Sequence, residues 1–430
     1  MATWVAMDLL DDLAARGLVH DTTDLAALRA RLAQGPIGLY IGFDPTADSL
    51  HVGHLVGQLF MRRFQLAGHR PFPLAGGATG MIGDPGGRSE ERNLLEGDTL
   101  RHNVERIKVQ LSALLDFEPG PCQATLVNNA DWTAPVTMLE FLRDVGKHFT
   151  VNQMMAKDSV RSRLDSEHGI SYTEFSYMLL QADDFRHLYE AHNVELQAGA
   201  SDQWGNIVAG VELIRRRLGE QAFAMTHPLM LKSDGSKFGK SVGGSVWLDP
   251  QRTSPYQFRQ FWMQSDDAMI ATYIRMLSLR PLADIEALLV DQIAAPEKRI
   301  AQRALADELT KLVHGEAAAT TAADAADVLF GSDPTAASAD VLAVVAQEVP
   351  SVQLPADLDG LRVHELLIGG GVAKSLSEVN RLLTQGAVRA GNRVLDADGL
   401  LRATDVLAGG FLLLRKGKRE FVVGKVSQTG

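Results

Sequence analysis

Two short clusters carry most of the chemistry written into this sequence. The first is His51-Val52-Gly53-His54. Two histidines three apart at the start of a helix lie on one face. A helix start also offers unpaired backbone N–H groups and partial positive charge, so the cluster suits a phosphate. Gly53 would let a ligand approach the backbone closely. The same four residues also suit two surface histidines, or a two-histidine zinc site, for which no third ligand lies nearby. The second cluster is Lys237-Phe238-Gly239-Lys240-Ser241, which follows the turn signal Asp234-Gly235 and precedes Gly243-Gly244. Two lysines in a glycine-flanked loop can swing onto a polyphosphate and neutralise charge growing on a pyrophosphate leaving group. Alone, such a loop is usually a solvated turn; its pairing with the histidine cluster in one α/β domain is the rarer combination.

The elements that must position these clusters read as α/β. Gly38–Phe43 is an apolar run of strand length, followed by loop chemistry over Asp44–Ser49 with a cap signal at Asp48-Ser49. Leu55, Leu59, Arg62 and Leu66 then recur at helical steps, and Gly68 is a plausible stop. Pro73–Ala75 begins a second strand that breaks into a glycine-rich loop. Ala124–Asn128 and Val194–Ala198 read as two more, with helical patterns over Thr173–His192 and Gln203–Leu218. Strands separated by helices imply a parallel sheet with ligands outside the carboxyl ends of its strands. Residues 255–314 read as all-helical. Residues 361–430 read as a small α+β unit, with helices near Leu361 and over Ser377–Gln385 and then turns joining short strands. The expected division is 1–250, 251–330, a linker at 331–360, and 361–430.

Composition sets outer limits. The chain has 430 residues, which suggests two or three domains. Its composition, 46% hydrophobic and 22% charged, excludes a disordered or fibrous chain. One cysteine, Cys122, excludes an intrachain disulfide and a multi-cysteine metal cluster. No signal-peptide pattern and no membrane-length apolar run is present, so the expected address is the cytoplasm and no membrane partner is expected. The net charge of −11 hides a segregation. Residues 361–430 hold 11 basic and 6 acidic residues, whereas 315–360 hold 8 acidic and no basic ones together with 13 alanines. A basic tail behind an acidic spacer fits a nucleic-acid partner, and local compositional drift fits it too.

The segment Tyr40-Ile41-Gly42-Phe43-Asp44-Pro45-Thr46-Ala47-Asp48-Ser49-Leu50-His51-Val52-Gly53-His54 resembles the signature of bacterial tyrosyl-tRNA synthetases, members of the class I aminoacyl-tRNA synthetases. So do Gly76–Pro85, Ser201–Asn206 and Lys237–Ser241, and the likeness covers essentially the whole chain. It implies a Rossmann-like catalytic domain, an α-helical domain and a small C-terminal RNA-binding domain of the αL type. The implied reaction joins L-tyrosine and ATP into tyrosyl-adenylate with release of pyrophosphate, then moves the tyrosyl group to the terminal adenosine of tRNA(Tyr). Positioning and electrostatics would do the work, because the residues offer donors, cations and glycines but no obvious nucleophile.

The resemblance carries roles residue by residue. His51, His54, Lys237, Lys240 and Ser241 match the phosphate-handling groups, as do Arg88 and Arg92. Many relatives have lysine at the first of these two; a surface ion pair with Glu90 or Glu91 is the other reading of both. Gly42, Asp44, Thr46, Gly53, Asp202 and Lys240 match the ATP site. Tyr40 and Asp184 match the pair that binds the substrate hydroxyl, Tyr177, Gln181 and Asp84 the groups that hold its amino group, and Gln203 the loop near its carboxylate. Ile41 and Gly57 stand where other members have small polar residues. In the tail, Arg381, Arg389, Arg393, Arg415, Lys416, Lys418 and Arg419 would face RNA phosphates. Mg2+ is implied with ATP, held by phosphates and water, with no protein-bound metal. A homodimer is implied, joined near the helices after Asp131. Three alternatives are weaker on the residues: Tyr40 and Asp184 argue against a tryptophan-specific relative, the intact histidines, lysines and glycines against an RNA-binding protein on a retired synthetase scaffold, and the basic tail and helical domain against a nucleotidyltransferase without tRNA.

Overall fold

The computed structural model describes residues 8–85, 97–165, 169–236, 238, 240–241, 244–358, 360–417 and 420–427, with backbone alone at 158, 159, 162, 240 and 241. They divide into two compact units, Met1–Thr253 with Phe261–Val313, and Ser254–Gln260 with His314–Gly430.

The first unit is built on a parallel sheet of β1 (Gly38–Phe43), β2 (Arg70–Ala75), β3 (Val127–Asn128), β4 (Val194–Ala200) and β5 (Phe223–His227). Their order is β3-β2-β1-β4-β5, and β1 pairs in parallel with both β2 and β4. The strands before β4 are added outward on one side of β1 and those from β4 on the other, so the order reverses between β1 and β4, where a parallel sheet forms a crevice at the carboxyl ends. The helix Leu55–Leu66 follows β1 and buries Leu55, Leu59, Phe60 and Phe64. Tyr40, Phe72 and Leu74 of the strands pack with Phe185 and Leu188 of the helix Tyr172–His192 and Ile214 of the helix Trp204–Leu218. Sequence periodicity had pointed to four of the five strands; β5 is the addition, a five-residue strand buried throughout and so without polar alternation. The helices Ile270–Leu277, Leu282–Ala294 and most of Ile300–His314 complete this unit.

The second unit holds a mixed sheet ordered β10-β9-β11-β12-β8, from β8 (Ser351–Leu354), β9 (Val388–Ala390), β10 (Arg393–Val394), β11 (Phe411–Lys416) and β12 (Glu420–Val426). The short pair β6 (Lys240–Ser241) and β7 (Gly244–Ser245) belongs to the first unit. Side chains alternate across a strand, and both faces of β11 and β12 are apolar. Leu412, Leu414 and Val422 pack with Leu366, Leu367, Val379 and Leu383 of the tail helices. Leu413, Phe421 and Val423 pack instead with Ala325, Val328, Val341 and Val345.

That second face corrects the expected linker. Residues 316–329 and 339–348 are helices, and Ser351–Leu354 is a strand paired in parallel with β12. The alanines that suggested a spacer are helix formers that give close packing on the sheet. If so, replacing Val345, fully buried on that face, with aspartate should lower the unfolding midpoint of the second unit and expose 316–348 to hydrogen exchange. Exchange already fast there in the parent protein would contradict the packed arrangement.

Candidate active site

Each strand end in the crevice delivers part of the site. β1 runs into Asp44 and Thr46, β2 into Gly76–Thr79, β3 into Asn129, and β4 into Asp202 and Gln203. Asp44 is held by two hydroxyls. Thr79 Oγ1 donates to its Oδ1 at 2.8 Å, and Tyr177 Oη donates to its Oδ2 at 2.8 Å. A Cβ on Gly76 would stand 2.3 Å from Asp44 Oδ1, so glycine there is what admits the carboxylate.

The histidine cluster differs from the sequence expectation in one physical respect. Its first-turn N–H groups are already used. Val52 N donates to Val246 O at 3.0 Å, Gly53 N to His51 Nδ1 at 3.1 Å, and His54 N to His51 O at 2.9 Å. His51 N donates to His54 Nδ1 at 3.1 Å, and His51, not Asp48 or Ser49, caps the turn. The donors left for an anion are the imidazoles themselves. Each accepts at Nδ1, so each neutral ring carries its proton on Nε2. The rings lie 4.0 Å apart. Burial and the neighbouring His51 lower the pKa of His54 to about 3, so it acts as a neutral donor. Gly53 has a second use: a Cβ there would meet His51 Cε1 at 2.8 Å.

The lysine loop approaches the same point. Phe238 O lies 3.9 Å from the position of a Gly53 Cβ. The Phe238 ring packs against Phe261, Trp262 and Tyr273, with centroids 5.2, 5.4 and 4.8 Å away. His51 bridges to Trp247 through the backbone just after the loop. Lys237 lies outside the described residues, as do Arg88, Arg92, Lys418 and Arg419; Lys240 and Ser241 are described as backbone only.

A cluster of buried polar side chains lies along the helix Tyr172–His192. Ser171 caps it by accepting from Glu174 N, and Tyr177, Gln181 and Asp184 follow at helical spacing. Tyr40 is 1% exposed and Asp184 2% exposed. Burial, then the Asp184 charge, raise the Tyr40 phenol well above its usual pKa, so it stays neutral. Tyr40 Oη donates to Gln181 O at 3.4 Å. Burial pushes the Asp184 carboxyl up to about 7, against two donors that favour its charged form. These are Asn129 Nδ2 at 2.9 Å and Trp132 Nε1 at 2.8 Å. Asn129 is fully buried; its Oδ1 accepts from Ala78 N at 2.7 Å and its Nδ2 also donates to Thr79 Oγ1 at 3.0 Å. One hydrogen-bonded chain thus runs Tyr177–Asp44–Thr79–Asn129–Asp184–Trp132.

Gln181 Oε1 is buried and has no hydrogen-bond partner among the described residues. Gln203 Nε2 donates to Asp84 Oδ2 at 2.5 Å. Lys157 Nζ donates to Gly205 O, and burial lowers its pKa to about 8 against the pull of Asp84. Asn129, Trp132, Thr79 and Lys157 were not singled out from sequence. For Asn129 the usable signal was its place directly after a strand. Ile41 and Gly57 fit each other: Ile41 methyls lie 3.7 Å from a Gly57 Cβ position. In the tail, Arg393 is ion-paired with Asp405 and Lys416 with Glu420, so these two already have internal partners. Arg381 is exposed, and Arg389 and Arg415 are half-buried.

A parallel sheet with this site defines a class, and residues 32–331 match the model described as tRNA synthetases class I (W and Y). Residues 341–423 match the tyrosine–tRNA ligase SYY-like C-terminal domain. The chain is 52% identical to a tyrosine–tRNA ligase from Opitutus terrae, over 98% of this chain and all of that protein. It is 48% identical to the tyrosine–tRNA ligase of Geobacillus stearothermophilus, over 96% of this chain and 99% of that protein. Its fold matches a C-terminally truncated mitochondrial tyrosyl-tRNA synthetase of Aspergillus nidulans with a TM-score of 0.70 and 29% identity, over 76% of this chain and 95% of that one. The chain belongs to the tyrosine–tRNA ligase family of class I tRNA synthetases.

The raised carboxyl sets a stability slope. Unfolded, Asp184 titrates near ~3.9; folded, it titrates at about 7. Between those values the native state binds the extra proton, so this group's contribution weakens as pH rises. Asp184→Asn should therefore gain stability on the parent as pH rises from about 4 to about 7, with a level difference above that, read from urea midpoints. A difference independent of pH would contradict the buried, raised carboxyl.

Proposed function

We infer that this chain is a tyrosine–tRNA ligase that uses the crevice at β1 and β4 for both of its steps. Tyrosine and ATP, with Mg2+ held by the phosphates and water, bind side by side. The tyrosine carboxylate oxygen attacks the α-phosphorus, the bond to the bridging oxygen breaks, and pyrophosphate leaves. A ribose hydroxyl of the terminal adenosine of tRNA(Tyr) then attacks the adenylate carbonyl and AMP leaves. No group on the protein forms a covalent bond.

The observation that carries the reading is the buried Tyr40–Asp184 pair sharing one set of strand ends with two Nε2–H imidazoles. Asp184, fixed as an acceptor by Asn129 and Trp132, takes the hydrogen of the substrate hydroxyl, and Tyr40 Oη donates to its oxygen. Phenylalanine would make neither of these hydrogen bonds, a loss of about 0.5–1.5 kcal/mol for the neutral one and about 1.5–3 kcal/mol for the one to a charged carboxylate. Gln181 Oε1 suits the substrate ammonium, with Tyr177 and Asp84 beside it. Gln203 faces the substrate carboxylate. Asp44, Thr46, Gly42, Gly53 and Asp202 form the ATP side. His51 and His54 donate to phosphate oxygens as charge builds there. Lys237, Lys240 and Ser241, with Arg88 and Arg92, draw off the pyrophosphate.

Further assignments follow the same reading. The helices of 255–314 approach the anticodon side of the tRNA, and the second unit binds RNA through Arg381 and Arg389. Exposed Met138, Leu139 and Val151 suit a homodimer interface, at 70%, 80% and 59% exposure. No described helix is long and apolar enough to cross a membrane, which is in keeping with a cytoplasmic address.

ATP–pyrophosphate exchange with each of the twenty amino acids tests the proposal. Tyrosine alone should drive exchange, and Asp184→Ala should abolish it. His54→Ala should lower the tyrosine-driven rate by about 10²-fold with little change in tyrosine KM. Exchange driven by another amino acid would overturn the specificity, and no exchange would favour an RNA-binding protein on a retired scaffold.

A further inference from the structure

The two donors to Asp184 are not equally secured. Asn129 is fully buried and uses its oxygen and its amide hydrogens on Ala78, Thr79 and Asp184. Trp132 is half-buried, and its indole N–H is spent on Asp184 alone. Its ring packs with the buried cluster that includes Tyr40, Phe72 and Leu188, and a second polar side chain lies flat on its face. The His187 imidazole stacks on it with centroids 4.5 Å apart and planes 15° from parallel. His187 stands three residues after Asp184 on the helix Tyr172–His192, so one helix face presents both. Burial and the adjacent Arg186 lower the His187 pKa, which favours the neutral ring in the stack. Arg186 is itself held by Asp183 at 2.8 Å and by Glu190.

We propose that His187 is a positioning residue for tyrosine selection, holding the Trp132 indole flat so that its N–H keeps the Asp184 carboxylate turned toward the substrate hydroxyl. The inference rests on the tyrosine reading of the pocket. Its consequence is specific to one substrate. A loosened indole withdraws a donor from a buried carboxylate, which then accepts the phenol hydrogen less well. The Trp132–Asp184 bond is the end of the chain farthest from Asp44, so its loss reaches the ATP side only through Asn129 and Thr79. Phenylalanine brings no hydroxyl and is indifferent to it.

Steady-state exchange kinetics of His187→Ala, His187→Phe and Asp184→Asn test this together. His187→Ala should raise tyrosine KM about tenfold, leave ATP KM within about twofold, and lower the preference for tyrosine over phenylalanine by a similar factor. His187→Phe keeps a flat ring on the indole and should return tyrosine KM to within about threefold of the parent. An unchanged tyrosine KM in His187→Ala, a parallel rise in both KM values, or equal damage in His187→Phe would overturn the role of His187. If Asp184→Asn also leaves tyrosine KM and the preference over phenylalanine unchanged, the phenol pocket itself is wrong. A damaged Asp184→Asn beside a silent His187→Ala overturns the positioning role alone.

Discussion

A carboxylate taken out of water is the constraint around which this site is built. Asp184 is 2% exposed, and burial alone would keep it protonated. Donors on both of its oxygens pull the other way, and a donor-only indole N–H fixes the carboxyl as an acceptor at that oxygen. Meeting that requirement recruits the neighbourhood. Asn129 must be oriented, so Ala78 N–H and Thr79 are engaged; Thr79 then serves Asp44, and Asp44 in turn receives Tyr177. The amino-acid pocket and the nucleotide loop are thereby parts of one polar network, in which each member limits the freedom of the next.

The phosphate end solves a different problem by different means. Its backbone N–H groups are consumed in closing a tight turn, and the imidazoles accept two of those hydrogen bonds at Nδ1. Acceptance at Nδ1 leaves the protons on Nε2, so the turn sets the tautomer of its own histidines. With a pKa lowered to about 3, His54 offers a donor that does not change with pH across the physiological range. Such a donor needs no reorganisation when charge develops opposite it.

Much of this was legible in the sequence. Strand β1 and the clusters at His51–His54 and Lys237–Ser241 stood out because apolar runs, glycines and paired cations are strong local signals. Spacing placed Tyr177, Gln181 and Asp184 on one helix face. The rest was hidden for physical reasons. Asn129 and Trp132 act through contacts 50 or more residues away, across the sheet, which no local pattern encodes. The helices at 316–329 and 339–348 read as a spacer because their small alanine faces gave no contrast until a second apolar sheet face required a cover. One of the first-turn N–H groups, that of Val52, is taken by Val246, nearly 200 residues away.

The central claim concerns the state of one carboxyl group, and carboxyl carbon NMR of selectively labelled aspartate measures it directly. The Asp184 resonance, identified by its loss in Asp184→Asn, should titrate at about 7 in the free protein and shift to lower pH on saturation with tyrosine, because the bound hydroxyl donates to the charged form. Titration in the ordinary carboxylate range in the free protein, or no shift on adding tyrosine, would contradict the account.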